Sequence, residues 1–282
     1  MRVVFLSDTH LGLDLPVRPR VERRRRGEDF FANLDRVLAC AEETRADLVL
    51  HGGDLFFRSR VPPPIVDRVY QRLVRFAGCG IPLGVIAGNH ERSALPPSLL
   101  LRHPGIHVFQ RPSTHVFALA AGRVAVTGVP FLGDAARVLD AARAAPVVDA
   151  EAHLLLAHEA FEGATVGPAG FVFRDRSDVV PLHALPERFD AVLSGHIHRR
   201  QVLWRARADG TRLPIVYAGS IERTSFAEQG EPKGFAVIEL AAPGAERGRL
   251  RFVDLPARPM LQLAHDDDAV LAALLARVTA DA

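Results

Sequence analysis

The chain has 282 residues, enough for one large domain or for one domain with a small appendage. Hydrophobic residues make up 48% and charged residues 24%, values that exclude an intrinsically disordered chain. With 35 basic and 33 acidic residues the formal net charge is +2, so bulk charge gives no argument for a nucleic-acid partner.

Short apolar runs followed at once by polar residues or glycine predict strands that are buried on both faces. In chain order they cover residues 3–6, 48–50, 83–87, 153–157 and 191–193. Two helices are predicted between the first three strands. One covers residues 28–45 and has a single apolar face, and the other opens at the prolines 62–64. This alternation predicts an α/β fold.

The second half of the chain is richer in strands. Further strands are predicted at residues 116–119, 124–128, 201–205, 215–217, 235–240 and 250–253. A mixed sheet, or two packed sheets covered by helices, therefore fits better than one parallel sheet. A stretch rich in proline and arginine, 256–259, predicts a boundary between a domain of residues 1–255 and a segment of residues 256–282. That segment would hold a short strand, 260–263, and a helix, 266–278.

Neither a leader nor a membrane span is predicted. The first apolar run, residues 3–6, is too short for a signal peptide or a transmembrane helix. Cys40 and Cys79 show no metal-site spacing and do not indicate a disulfide framework. We therefore expect a cytoplasmic protein with no membrane partner.

Side chains of the metal-ligand type follow all five apolar runs. They are Asp8 and His10, Asp54, Asn89 and His90, His158, and His196 and His198. Ligand sites assemble at the carboxyl ends of strands in α/β sheets. Carboxylate, imidazole and amide donors without cysteine suit manganese, iron or zinc. Each motif alone is explained by a turn, a cap or a buried histidine, but the five in this order predict a metal site.

These residues resemble the five motifs of the calcineurin-like metallophosphoesterase superfamily. The motifs read Asp8-x-His10, Gly53-Asp54, Gly88-Asn89-His90-Glu91, His158 and Gly195-His196-x-His198. The segments 199–202 and 217–235 resemble the SbcD-type DNA repair exonuclease branch of that superfamily. The resemblance implies a four-layer α/β sandwich of two mixed β-sheets flanked by helices, ending in a short partial capping segment.

The resemblance also implies two divalent metal ions, manganese first, with iron, zinc or magnesium as alternatives. By residue-wise carry-over, one ion is held by Asp8, His10 and His198, the other by Asn89, His158 and His196, and Asp54 bridges them. His90 would be the general acid that protonates the leaving oxygen. Glu91 stands where the family usually has aspartate, and it is expected to orient His90.

Candidates for DNA contact flank the motifs. They are Arg23, Arg24, Arg25, Arg26, Phe56, Phe57, Arg199 and Arg200. Arginine suits phosphate and phenylalanine can stack on a base. A solvated loop, a strand flank or core packing explains the same residues without DNA, and core packing is expected for at least one of the two phenylalanines.

The resulting hypothesis is a metal-dependent DNA nuclease, exonuclease or endonuclease, that hydrolyses phosphodiester bonds by in-line hydroxide attack in DNA repair. DNA is the expected partner. The family also implies an SbcC-type ABC ATPase and a homodimer, although the short C-terminal region argues against the ATPase. Two alternatives stay open: a phosphomonoesterase or cyclic-nucleotide phosphodiesterase with the same metals, and a non-catalytic DNA- or partner-binding module.

Overall fold

The computed structural model describes residues 1–18, 25–92, 95–96, 103–240, 248–260 and 268–280. Its helices are α1 (Gly27–Glu43), α2 (Pro63–Ala77), α3 (Ala135–Ala144) and α4 (Asp268–Ala280). Its strands are β1 (Arg2–Leu6), β2 (Leu48–His51), β3 (Leu83–Ile86), β4 (Ile106–Phe109), β5 (Ser113–Leu119), β6 (Gly122–Val129), β7 (Ala152–Ala157), β8 (Ala160–Phe161), β9 (Thr165–Val166), β10 (Phe171–Val172), β11 (Val179–Val180), β12 (Ala191–Ser194), β13 (Gln201–Ala206), β14 (Arg212–Tyr217), β15 (Gly234–Glu239) and β16 (Arg249–Asp254).

Two mixed six-stranded sheets form the centre of the molecule. We call them the first sheet, in the order β16-β15-β1-β2-β3-β4, and the second sheet, in the order β13-β14-β12-β7-β6-β5. In the first sheet β1 to β4 are parallel, and β15 runs antiparallel to β1. In the second sheet β6, β7, β12 and β14 are parallel, with antiparallel strands at both edges.

The alternation of side chains along β1 shows how the layers are built. Val3 and Phe5 point between the two sheets, where they join a core with residues of the second sheet such as Leu154. Val4 and Leu6 point the other way, into a second core formed with α1 and α2. A third core lies between the second sheet and α3. The result is the predicted four-layer sandwich, with helices outside both sheets.

The helices of the first sheet begin where the sequence predicts. Glu28 and Asp29 lie in the first turn of α1, where acidic groups stabilise the helix dipole. Pro63 opens α2, where a missing N–H costs nothing. On the inner face of α1, Phe30, Leu34 and their neighbours are buried against the sheet.

The elements β4 and α3, and the two-residue strands β8 to β11, were not predicted from the sequence. Of the predicted strand at 260–263 only residue 260 lies among the described residues. The helix predicted at 266–278 corresponds to α4. Residues 256–258 contact α1, because Asn33 donates to the carbonyl of Pro256 and Arg258 pairs with Asp29. The division at residue 255 stays a prediction. Within the described ranges, no helix is long and apolar enough to cross a membrane.

Candidate metal centre

The five predicted motifs meet at one edge of the sandwich. Those of the first sheet follow the carboxyl ends of β1, β2 and β3, and those of the second sheet follow β7 and β12. Because both sets of strands end at this edge, loops far apart in sequence face one another. The structure thereby brings together all seven predicted ligands: Asp8, His10, Asp54, Asn89, His158, His196 and His198.

One group of donors consists of Asp8, His10 and His198, whose ligand atoms lie within 4.8 Å of one another. His10 Nε2 is 2.9 Å from His198 Nε2, and the latter is 3.8 Å from Asp8 Oδ1. Two imidazole nitrogens at this distance repel each other through their lone pairs unless a proton or a cation lies between them. This group could hold one divalent ion.

A second group forms around Asn89. Its Oδ1 is 3.0 Å from His158 Nε2 and 3.0 Å from His196 Nδ1. Asp54 lies between the two groups, because its Oδ2 is 3.4 Å from His158 Nε2 and 3.8 Å from His10 Nε2. That position agrees with the bridging role that the family resemblance implies for Asp54.

A bound cation would satisfy the polar atoms of the cluster better than hydrogen bonds among these atoms do. Within the described part of the chain, Asp8 Oδ2 and His10 Nδ1 are buried and have no hydrogen-bond partner. An unpaired buried carboxylate oxygen is costly unless a metal or a donor meets it. Oxygen and imidazole donors without sulfur are the set that manganese, iron and zinc accept.

The backbone at the cluster is strained. Asp8, His10, Asp54 and His196 have φ values of 52°, 42°, 52° and 80°. Residues other than glycine seldom adopt this left-handed region, at a cost of roughly 1–3 kcal/mol each. Four candidate ligands in this state indicate that the local structure is selected for the direction of the side chains rather than for stability.

Close approach of the loops depends on missing side chains. A Cβ atom on Gly88 would lie 2.1 Å from Asp54 Oδ1, and one on Gly195 would lie 2.3 Å from the Gly52 carbonyl oxygen. Only glycine at these positions lets the loops after β2, β3 and β12 pack closely enough to gather the donors.

Buried charges perturb one another strongly at this site. Burial by itself would lower the pKa of His158, but the Asp54 carboxylate beside it raises that pKa to about 9. Burial opposes ionisation of Asp54 as well, yet the His158 charge holds the pKa of Asp54 below its usual range. Burial lowers the pKa of His196 to about 3 and raises the pKa of Asp8. The cluster thus favours the anion of Asp54 and a neutral His196, and it disfavours the anion of Asp8.

Three imidazoles are held by an oxygen behind the ring. His158 Nδ1 lies 2.7 Å from the Gly52 carbonyl, His90 Nδ1 lies 2.6 Å from the Phe57 carbonyl, and His198 Nδ1 lies 2.9 Å from Glu228 Oε1. Because carbonyl and carboxylate oxygens only accept, each Nδ1 carries the proton and each Nε2 faces the cluster. Such outer contacts typically orient metal ligands.

His90 lies at the open side of the cluster. Its side chain is 35% exposed, and its Nε2 is 3.9 Å from Asp54 Oδ2. The prediction that Glu91 orients His90 directly is wrong, since the Phe57 carbonyl takes that place. Glu91 instead accepts from the N–H groups of Phe56 at 2.5 Å and Gly88 at 2.7 Å. Its length lets one carboxylate tie the loops after β2 and β3, and burial raises its pKa to about 7.

The two phenylalanines differ sharply in environment. Phe56 is fully buried in the core with α1 and α2, so the prediction that it contacts DNA is wrong. Phe57 is half-buried, and its ring contacts those of His10 and His90. Alternation along the chain at 56 and 57 puts one ring in the core and the other at the cluster.

The described arginines among the DNA candidates are each bound to a carboxylate of the chain. Arg25 pairs with Asp14, Arg26 with Glu222, Arg199 with Glu231 and Arg200 with Asp254. Arg23 and Arg24 lie outside the described residues. These carboxylates already offset the charges of the four arginines. Phosphate contact by these arginines stays a prediction.

Fold and site together define a class: an α/β sandwich with a buried cluster of oxygen and nitrogen donors suited to divalent cations. The model of the calcineurin-like phosphoesterase family matches residues 1–200, and the chain belongs to that family. This match confirms the resemblance predicted from the five motifs.

Several curated proteins are similar over most of the chain. The DNA double-strand break repair protein Mre11 of Haloferax volcanii is 32% identical over 259 residues, which are 92% of this chain and 53% of that protein. The Mre11 protein of Methanosarcina mazei is 26% identical, over 88% of this chain and 38% of its own. A subunit of the nuclease SbcCD of Bacillus subtilis is 27% identical, over 87% of this chain and 68% of its own. The chain thus spans about half the length of the curated relatives it matches.

The outer contacts of the ligands were not predicted. Glu228 behind His198, and Lys233 behind Glu228, lie in the segment 217–235 that resembles the SbcD branch. No role was predicted for either residue.

Proposed function

We propose that the chain is a metal-dependent DNA nuclease that hydrolyses phosphodiester bonds in DNA repair. The observation that carries the proposal is the convergence of seven donors beside a partly exposed histidine, His90. The choice of DNA among phosphoesters is supported by relatives whose names are those of a repair protein and a nuclease subunit.

Two divalent cations, manganese in the first place, fit the donor set. Asp8, His10 and His198 would hold one of them, Asn89, His158 and His196 the other, and Asp54 would bridge them. The chemistry supplied by the bound cations is neutralisation of the phosphate and activation of water for in-line attack.

The proton for the leaving oxygen comes from His90 in this proposal. The Phe57 carbonyl fixes the Nδ1 proton of His90 and leaves Nε2 directed to the cluster. A side chain that is 35% exposed can meet a substrate, whereas His158 at 0% cannot. A positioned acid of this kind contributes about 10²–10⁴-fold to the rate.

Contacts to the rest of the substrate follow from exposure. Phe57, beside His90, is the aromatic candidate for stacking on a base.

One relative is named as part of a nuclease called SbcCD, which supports an ABC ATPase of the SbcC type as a partner. A homodimer and a cytoplasmic location belong to the same proposal.

The test is hydrolysis of single-stranded DNA, duplex DNA and a small phosphodiester with manganese and with EDTA. We expect manganese-dependent cleavage of DNA and its loss in Asp8→Ala. His90→Ala should lower DNA cleavage by about 10²–10⁴-fold while manganese binding and the circular dichroism spectrum are kept. Full cleavage by either variant would contradict the proposal.

The same assay separates the alternatives. Turnover of phosphomonoesters or cyclic nucleotides without DNA cleavage would identify a small-molecule phosphoesterase with the same ligands. DNA binding without manganese binding would identify a non-catalytic module. The intact donor set speaks for an enzyme.

A further inference from the structure

The segment that follows the last metal motif closes around one candidate ligand, His198. Glu228 Oε1 lies 2.9 Å from His198 Nδ1. The carbonyl oxygen of His198 accepts from Lys233 Nζ at 3.2 Å and from the N–H of Ser220 at 3.2 Å. Both the side chain and the backbone of His198 are therefore held by residues 220–233.

Glu228 is itself fixed from several sides. Lys233 Nζ is 2.5 Å from its Oε2. The hydroxyl of Thr224 donates to Oε1 at 2.5 Å and that of Ser220 to Oε2 at 3.3 Å. Lys233 is the only lysine of the chain and is 1% exposed. A buried ammonium is tolerated only beside carboxylates, and here these are Glu228 and, at 3.4 Å, Glu231.

We infer that Glu228 is a positioning residue for metal binding, which fixes the His198 ring so that Nε2 meets the ion shared with Asp8 and His10. The inference rests on the proposed metal centre. The carboxylate accepts the Nδ1 proton and thus selects the tautomer with a free Nε2 lone pair. Loss of such an outer carboxylate typically weakens metal affinity by about 10–100-fold.

Glu231 provides a matched control. It lies in the same loop and is 8% exposed, against 7% for Glu228, and it also contacts Lys233. Its second partner is Arg199, at 2.8 Å, and not the imidazole of His198. Glu228→Gln and Glu231→Gln therefore each remove one negative charge beside Lys233, but only the first removes the carboxylate behind a candidate ligand.

Manganese binding to the full chain, measured by titration calorimetry, tests the inference. Glu228→Gln should weaken one of two sites by about 10–100-fold and leave the other unchanged. Glu231→Gln should keep both affinities. Thermal unfolding of both variants shows whether each is folded. Wild-type affinities in Glu228→Gln, or equal losses in the two variants, would overturn the inference.

A second measurement separates this inference from the proposed function. If the wild-type chain binds no manganese, the proposed function fails. Whether Glu228 fixes the His198 ring is then decided by the ring ¹⁵N shifts of His198 in the metal-free chain. We expect an Nδ1–H ring in the wild type and its loss in Glu228→Ala. An unchanged tautomer in Glu228→Ala would overturn the inference.

Discussion

The environment of Asp8 lowers the stability of the fold. It is fully buried, its backbone has a φ of 52°, and its Oδ2 lacks a hydrogen-bond partner among the described residues. Burial raises its pKa, which means that the charged form is disfavoured at this position. Ligands in metal sites commonly trade stability for function in this way.

Asp8→Asn should therefore separate the stability of the fold from metal binding. Asparagine tolerates the left-handed backbone and keeps an oxygen for the N–H of His196, which lies 3.0 Å from Asp8 Oδ1, but it removes the buried charge. We expect the variant in EDTA to gain about 1 kcal/mol of unfolding free energy over the wild type and to lose manganese affinity. Urea unfolding with EDTA and calorimetric titration measure the two effects.

Asp14→Asn is the control for this prediction. Asp14 has a similar φ of 48°, but its carboxylate pairs with Arg25 and accepts from the N–H of Arg26. Its charge is compensated, so the substitution should give no gain in stability. A metal-free Asp8→Asn chain that is less stable than the wild type would contradict the view that the buried charge of Asp8 lowers the stability of the fold.

The sequence predicted which side chains meet at the cluster better than it predicted the groups that orient them. A ligand such as Asp54 directly follows an apolar run, and this placement is readable without a structure. Glu228 lies 30 residues after His198, and no spacing rule connects the two. The oxygens behind His90 and His158 belong to backbone carbonyls, which every residue type carries.

At the scale of elements, the loops after β2 and β3 touch at Gly88. A Cβ atom there would lie 2.1 Å from Asp54 Oδ1 and 2.4 Å from the Asp54 nitrogen. Backbone cannot move aside as a flexible side chain does, so any added atom displaces Asp54. Glu91 ties the same two loops by hydrogen bonds, which leaves little room for adjustment.

Gly88→Ala should consequently disrupt the centre. We expect it to cost about 1–3 kcal/mol of unfolding free energy through overpacking and to weaken manganese binding, because Asp54 reaches both groups of donors. Gly230→Ala is the matched control, since a Cβ at Gly230 meets nothing within 4 Å. Urea unfolding of both variants measures the stability, and calorimetric titration measures manganese binding. Equal behaviour of the two would show that the close approach at Gly88 is unimportant.

Elements were predicted where their apolar pattern is strong. The runs of β1, β2, β3, β7 and β12 are buried almost throughout. α1 and α2 carry clear apolar faces. β4 is only partly buried and contains a histidine, so its pattern is weak. α3 is short and consists mainly of alanine and arginine, and its N-cap, Asp134, is its clearest signal.

At the scale of the molecule, the sequence pattern left two arrangements open. One was a single mixed sheet, and the other was two sheets packed against each other and covered by helices. Sheet order depends on pairs distant in sequence, such as β1 with β15, and local patterns do not contain it. The family resemblance implied the arrangement that the structure has.

The sheets also meet at their edge strands. His107 of β4, at the edge of the first sheet, stacks on His115 of β5, at the edge of the second, with ring centroids 3.9 Å apart and planes within 18°. Both rings also contact Phe117 edge to face. Burial, together with the neighbouring imidazole of His115, lowers the pKa of His107 to about 4, and burial lowers the pKa of His115.

This stack should weaken in acid. Between pH 6.5 and about 4 the unfolded chain binds a proton at His107 that the folded chain does not, so the free energy of unfolding falls as the pH drops through this window. Because His107 is only half-buried, we expect a loss on the order of 1 kcal/mol. His107→Phe keeps an aromatic ring and removes the proton site. Urea unfolding at pH 7 and pH 5 should show a smaller loss for His107→Phe than for the wild type. Since every other titrating group, His115 included, is common to both chains, equal losses would mean that His107 does not sense pH.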